Sequence, residues 1–227
     1  MTQLNSAVAI IPARGGSKGL PRKNIAQIQG KPLIAYSIIA AQQSRRVGRT
    51  IVSTDDAEIS AVAEAWGAEV IVRPPSLATD EAPTDPVLEH AIAQLNQSEG
   101  YRPDLVVLLQ PTSPLREPGL VDACIDHLET TEADSLLTVF EGPHFYWRRS
   151  ANSLTSNYDP AHRPRRQEIP DEDRIMLENG SVYVTKRQVL LDQHSRLAGK
   201  IEWHAMSPED SIEVDTQVHL AMVDSVF

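Results

Sequence analysis

The 227-residue chain carries 21 Lys/Arg against 31 Asp/Glu, a formal net charge of −10 at pH 7, which makes a nucleic-acid backbone a poor partner. Its 41% apolar and 23% charged residues are ordinary for one soluble globular domain, residues 1–227, and no apolar run approaches the ~20 residues of a membrane span. The single Cys124 cannot form an internal disulfide and Met1–Ser6 lacks the charged start and apolar core of a secretory leader, so a cytoplasmic protein is expected.

Ala7–Pro12 is an unbroken apolar run, the pattern of a strand buried on both faces of a parallel sheet. Lys31-Pro32 opens a helix whose Leu33, Ile34, Ser37, Ile38 and Ala41 share one face, because proline suits the first turn. Thr50–Thr54 reads as a second strand. Asp55 or Asp56 can cap the helix that follows, which runs to about Trp66 before Gly67 stops it. Glu69–Arg73 is a third strand, a proline-rich loop leads to a helix near 85–97, and Asp104–Leu109 is a fourth strand. Leu120–Leu128 is helical, with Cys124 as a small core hydrophobe, and Ser135–Phe140 is a fifth strand. This alternation argues an α/β fold: a three-layer, Rossmann-like, mainly parallel sheet with helices on both faces. Residues 141–178 then break the pattern with Pro, Arg, Asp and aromatics in no period; an aperiodic loop of this length is usually functional or an interaction arm. Ser181–Thr185, a short helix, Ile201–His204 and a closing helix near 216–226 complete the chain.

Charge is unevenly placed. Residues 1–54 hold eight Lys/Arg and no acid, which leaves 21 − 8 = 13 basic and 31 acidic residues in the rest. Within that basic portion, Arg14, Lys18, Arg22 and Lys23 crowd into the glycine-bearing loop Ala13–Asn24 directly after the first strand. Glycines let backbone N–H groups curl around a ligand, and added cations suit a polyphosphate at the carboxyl end of a parallel strand. The spacing is neither that of a P-loop nor that of a dinucleotide loop. Arg14 and Lys23 are the phosphate candidates, Ser17 can add a hydroxyl, Gly15 and Gly16 can add their N–H groups, and Asn24 can orient ribose or phosphate.

The wording Ala13-Arg-Gly-Gly-Ser-Lys-Gly-Leu-Pro-Arg-Lys-Asn24 resembles the opening loop of the acylneuraminate (CMP-sialic acid) cytidylyltransferases. Further motifs of that family follow in order: Arg73-Pro with Leu77-Ala-Thr-Asp80 and Thr84, Gln110-Pro-Thr-Ser-Pro-Leu-Arg116, Arg163-Pro-Arg-Arg-Gln167 and Glu178-Asn-Gly-Ser181. The resemblance spans about residues 7–225 and implies a fold of the nucleotide-diphospho-sugar transferase type. It implies nucleotide contacts from Arg14, Asn24, Arg73, Ala82 and Thr84, and a catalytic part for Lys23. It implies sugar-acid contacts from Gln110, Gln167, Asn179 and Ser181. Arg165 is implied to be catalytic, on an arm that reaches the partner subunit of a homodimer. Asn179-Gly180 is also a good hairpin turn, and Arg116 is equally a surface cation.

Glu213 and Asp215, at i and i+2 on an extended segment, point to one face, and hard oxygen ligands suit Mg²⁺ or Mn²⁺. The family usually has two Asp here, so Glu213 is a departure, and His219 stands where many members have a third acid. A helix N-cap by Asp215 is the alternative. The seven His show no metal-ligand spacing, so no zinc site is expected. The implied reaction is transfer of CMP from CTP to a 2-keto sugar acid, either an N-acylneuraminate or a legionaminate, pseudaminate or Kdo. A nucleotide-binding regulator that has lost catalysis is the non-enzymatic alternative.

Overall fold

A computed structural model describes residues 6–227; the leader reading at the N-terminus, apart from Ser6, lies outside the described residues. The elements run β1 (Ala7–Pro12), β2 (Gln27–Ile28), β3 (Lys31–Pro32), α1 (Leu33–Gln43), β4 (Val47–Thr54), α2 (Ala57–Ala65), β5 (Glu69–Val72), α3 (Thr84–Glu99) and β6 (Leu105–Leu109). Then come α4 (Leu120–Thr130), β7 (Ser135–Glu141), β8 (Trp147–Ser150), β9 (Ser153–Ser156), β10 (Met176–Lys186), α5 (Arg187–Gln193), β11 (Ile201–Met206) and α6 (Gln217–Val226).

Seven strands form one sheet in the order β11-β7-β10-β6-β1-β4-β5. Its pairings are parallel except around β10, which runs antiparallel between β6 and β7. Strand alternation sorts β1 onto two faces. Ala9 and Ile11 pack with Ile34 and Ile38 of α1, Ile59 of α2 and Ile125 of α4, whereas Val8 and Ile10 pack with Leu88 and Ile92 of α3 and Leu190 of α5. That is the three-layer arrangement expected from the alternating pattern. Cys124 is buried in the first of these layers, where desolvation pushes its thiol up to about 12.

Several local readings need correction. Lys31-Pro32 does not start the helix. It pairs with Gln27–Ile28, and α1 begins at Leu33 with Pro32 as its N-cap in extended backbone. Asn179-Gly180 is not a hairpin turn. β10 pairs Glu178 with Val139 and then resumes with Tyr183 against Leu137, so the residues between them bulge out of the ladder, with Gly180 at φ +66°. Residues 211–215 form no strand. Val214 is buried beside Leu33 and Val223 and donates its N–H to Thr112 O (2.7 Å), while Glu213 on one side of it is half-buried and Asp215 on the other is exposed. The excursion is also tighter than its sequence boundaries. Met176 pairs with Glu141, so it leaves and rejoins the sheet at one point. It carries the β8–β9 hairpin, with Trp147 49% and Leu154 62% exposed, and an aromatic knot in which Arg163 lies 4.1 Å over Phe145.

Candidate active site

β1 lies between β6 and β4, so the chain crosses to opposite faces of the sheet on either side of it. The crevice beyond its carboxyl end is where such sheets bind ligands. A cavity of ≈ 270 Å³ opens there, and eight sequence-predicted residues line it: Arg14, Ser17, Lys23, Asn24, Arg73, Ala82, Thr84 and Gln110. Three loops supply them, those after β1, β5 and β6.

The glycine loop is braced by acids from elsewhere in the chain, which its own acid-free composition could not reveal. Arg14 pairs with Asp80 (2.8 Å) and donates to Thr79 O (2.8 Å), and Lys18 reaches the same Asp80 (2.5 Å). Those two cations, Lys18 foremost, lower the Asp80 pKa. Gly15 N donates to Asp55 Oδ1 (3.1 Å), and Asn24 Nδ2 donates to Arg14 O (2.9 Å). Asp56, the N-cap of α2, accepts from Glu58 N and Ile59 N (both 3.0 Å) and from Arg22 Nη1 (2.6 Å). Arg22 also bonds Glu58 and holds a left-handed backbone, φ 57°. A β-carbon at Gly15 would lie 2.6 Å from Asp56 Oδ2, so glycine is what admits this approach.

Arg73 is buried and donates to Ser53 O (2.6 Å), and desolvation lowers its pKa. Lys23 pairs with Asp215 (2.9 Å), which couples the cavity to the 211–215 segment. A β-carbon at Gly19 would lie 2.6 Å from Asp215 O, so that segment packs directly on the glycine loop. The cap of α6 is Thr216, which accepts from His219 N, and not Asp215. His219 Nδ1 accepts the Asp215 backbone N–H (3.3 Å). Glu213 stands beside the bulge: a β-carbon at Gly180 would lie 2.6 Å from Glu213 Oε1 and 3.5 Å from Gln110 Nε2. Burial first, then the Asp215 charge, raises the Glu213 pKa.

The remaining candidates sit apart from the cavity. Asn179 is buried, accepts from Thr138 Oγ1 (2.7 Å) and donates to Ser211 Oγ (2.9 Å), so its amide holds the bulge to its neighbours. Ser181 is buried beneath it. Arg165 and Gln167 lie exposed on the excursion, Arg165 78% so, facing Glu168. Sequence reasoning missed Asp80 as a loop partner and Arg116 as anything but a surface cation. Arg116 is tucked behind Gln110 and donates to the carbonyls of Gln110 (2.7 Å) and Ser181 (2.8 Å). A cation directly following a two-proline loop was the available signal.

Residues 8–213 match the family model described as Cytidylyltransferase. The chain is 34% identical over 215 residues to N-acylneuraminate cytidylyltransferase A of Danio rerio, covering 92% of this chain and 48% of that protein. It is 32% identical over 223 residues to CMP-N,N'-diacetyllegionaminic acid synthase of Legionella pneumophila, covering 96% of this chain and 95% of that one. The chain thus spans about half the length of the animal relative and nearly all of the bacterial one. A solved CMP:2-keto-3-deoxy-manno-octonic acid synthetase complexed with CTP shares its fold, with TM-score 0.70 at 20% identity over 97% of this chain and 98% of that one. With the glycine loop, the Arg73–Thr84 segment and the Gln110 loop gathered on one cavity inside the matched region, the chain belongs to the cytidylyltransferase family.

Proposed function

We propose that this chain transfers CMP from CTP to the anomeric hydroxyl of a 2-keto sugar acid of the nonulosonate class, releasing pyrophosphate. The observation that carries the reading is Lys23. It lines the cavity with Arg14 and is paired with Asp215, so phosphate-binding cations and a carboxylate pair meet at one end of the crevice. In this reading Arg14, Ser17 and Lys23 hold the triphosphate, and Asn24, Arg73, Ala82 and Thr84 hold the nucleoside; the Gly15 N–H, expected from the sequence to join them, is instead taken up by Asp55. The acceptor hydroxyl attacks the α-phosphorus, the bond to the β-phosphate oxygen breaks, and the hydroxyl proton passes to water. Lys23 and Arg14 offset the charge that gathers on the departing pyrophosphate.

The oxygen donors fit a hard divalent cation. Asp215 does not cap α6, and Glu213 is two residues away. Two carboxylates completed by water and phosphate oxygens are the arrangement Mg²⁺ favours. Asp215 and Glu213 would hold Mg²⁺ or Mn²⁺, which would supply Lewis-acid stabilisation of phosphate charge. The exposed excursion supports a homodimer in which Arg165 and Gln167 serve the partner's site. Among the described residues no helix is long and apolar enough to cross a membrane, which with the lone buried cysteine supports a cytoplasmic placement. The bacterial relative matched along its length favours a legionaminate-type acid as the second acceptor to try after N-acetylneuraminate.

The test is pyrophosphate release with CTP, UTP, ATP and GTP against N-acetylneuraminate, legionaminate, pseudaminate and Kdo. Turnover is expected with CTP and one of the nonulosonates. Equal use of UTP and CTP contradicts the nucleotide assignment, and no release with any acid refutes the activity.

A further inference from the structure

The antiparallel ladder between β10 and β6 ends at the pair Val182–Leu109. The next residues along, Ser181 and Gln110, no longer pair with each other, because β10 bulges away from the sheet there. Buried carbonyls released from a ladder need another donor. Arg116 supplies it: Nη2 donates to Gln110 O (2.7 Å) and Ser181 O (2.8 Å), and Nη1 donates to Ser37 Oγ (2.9 Å). Ser37 Oγ in turn donates to Gln110 O (3.2 Å). The guanidinium therefore fills the split between two strands, held by carbonyls and a hydroxyl and not by a carboxylate. Its Nε is buried without a partner.

The two carbonyls it joins belong to the residues that flank the acceptor end of the site. Gln110 lines the cavity, and Ser181 continues the bulge whose Gly180 abuts Glu213 and the Gln110 amide. We infer that Arg116 is a positioning residue, which sets the distance between Gln110 and the 179–181 bulge and so aims the Gln110 side chain at the sugar acid. The inference rests on the reading of Gln110 as an acceptor contact.

The experiment compares Arg116→Met, Arg116→Lys and Ser37→Ala with the wild type, using the acid the wild type turns over best. Arg116→Met is expected to lower kcat/KM for the acid by about 10²-fold, the scale of a misplaced contact, while calorimetric Kd for CTP without acid stays within about twofold. Arg116→Lys, which keeps a charged donor in the split, recovers part of the loss. Ser37→Ala removes one donor to the same carbonyl and gives a smaller loss of the same kind, which decides the matter if Arg116→Met does not fold. Parallel losses for acid and CTP, or no loss of either, overturn the assignment. A wild type inert toward every acid refutes the proposed activity instead. The side-chain amide resonance of Gln110 then decides the inference: it shifts in Arg116→Met and Ser37→Ala if Arg116 positions it, and an unmoved resonance overturns the role.

Discussion

Replacing Asp56 with Ala removes a cap and an ion pair at once. Its carboxylate closes the first turn of α2 through Glu58 N and Ile59 N and receives both Arg22 nitrogens, at 2.6 and 3.0 Å. These bonds, with Arg22 foremost, lower its pKa from 3.8 to about 2. The difference, 3.8 − 2, is worth about 2.4 kcal/mol in full. Solvent reaches a fifth of the side chain and screens the pair, so about 1–2 kcal/mol is the expected loss for Asp56→Ala at neutral pH. The folded pKa lies below the unfolded one, so this stability is present in full above 3.8 and is lost as pH falls through about 2. The gap between wild type and variant should therefore be constant from pH 7 to 5, shrink to about half at pH 3 and nearly close at pH 2. Urea unfolding across that range measures it. A variant within about 0.5 kcal/mol of wild type at pH 7, or a gap that persists undiminished at pH 2, refutes the reasoning.

Arg14→Ala and Lys23→Ala should each lower turnover by a factor on the order of 10², the usual loss for a charge-stabilising donor, with unfolding curves showing the fold intact. Normal turnover in both would remove the phosphate assignment. EDTA should abolish activity and Mg²⁺ or Mn²⁺ restore it, and Asp215→Asn should cost more than Glu213→Gln. Unchanged Mg²⁺ dependence in Asp215→Asn would place the metal elsewhere. Light scattering should give a dimer, and Trp147→Ser with Leu154→Ser on the exposed hairpin should weaken it and lower turnover; a fully active monomer would count against the arm's role.

The layered sheet was legible because β1, β4, β5, β6 and β7 each contain a short apolar run and the helices between them carry a one-sided pattern, so period and length sufficed; the two-residue pair β2–β3 left no such signal. The cavity was legible because its residues cluster in three short loops at strand ends. What escaped the sequence was long-range pairing. Asp80 lies 66 positions from Arg14, and no local rule couples them. Asn179-Gly180 misled because the same αL-tolerant pair serves a turn or a bulge, and only the partner strand β7 decides which. Arg116 misled because a cation is expected in water, whereas a strand split offered it carbonyls.

The antiparallel β10 also dictates an order of assembly. It arrives at residue 176 yet occupies the space between β6, which ends at Leu109, and β7, which ends at Glu141. A growing chain that has emitted only its first 175 residues therefore lacks both sheet partners of β7, which are β10 and β11, and leaves one edge of β6 unpaired. Such edges recruit whatever strand is nearest, in the same chain or another. Docking β10 joins segments far apart in sequence, a slow step by the logic of contact order. Chains truncated before Met176 should consequently aggregate, and the 179–181 bulge beside Gln110 exists only after β10 has docked.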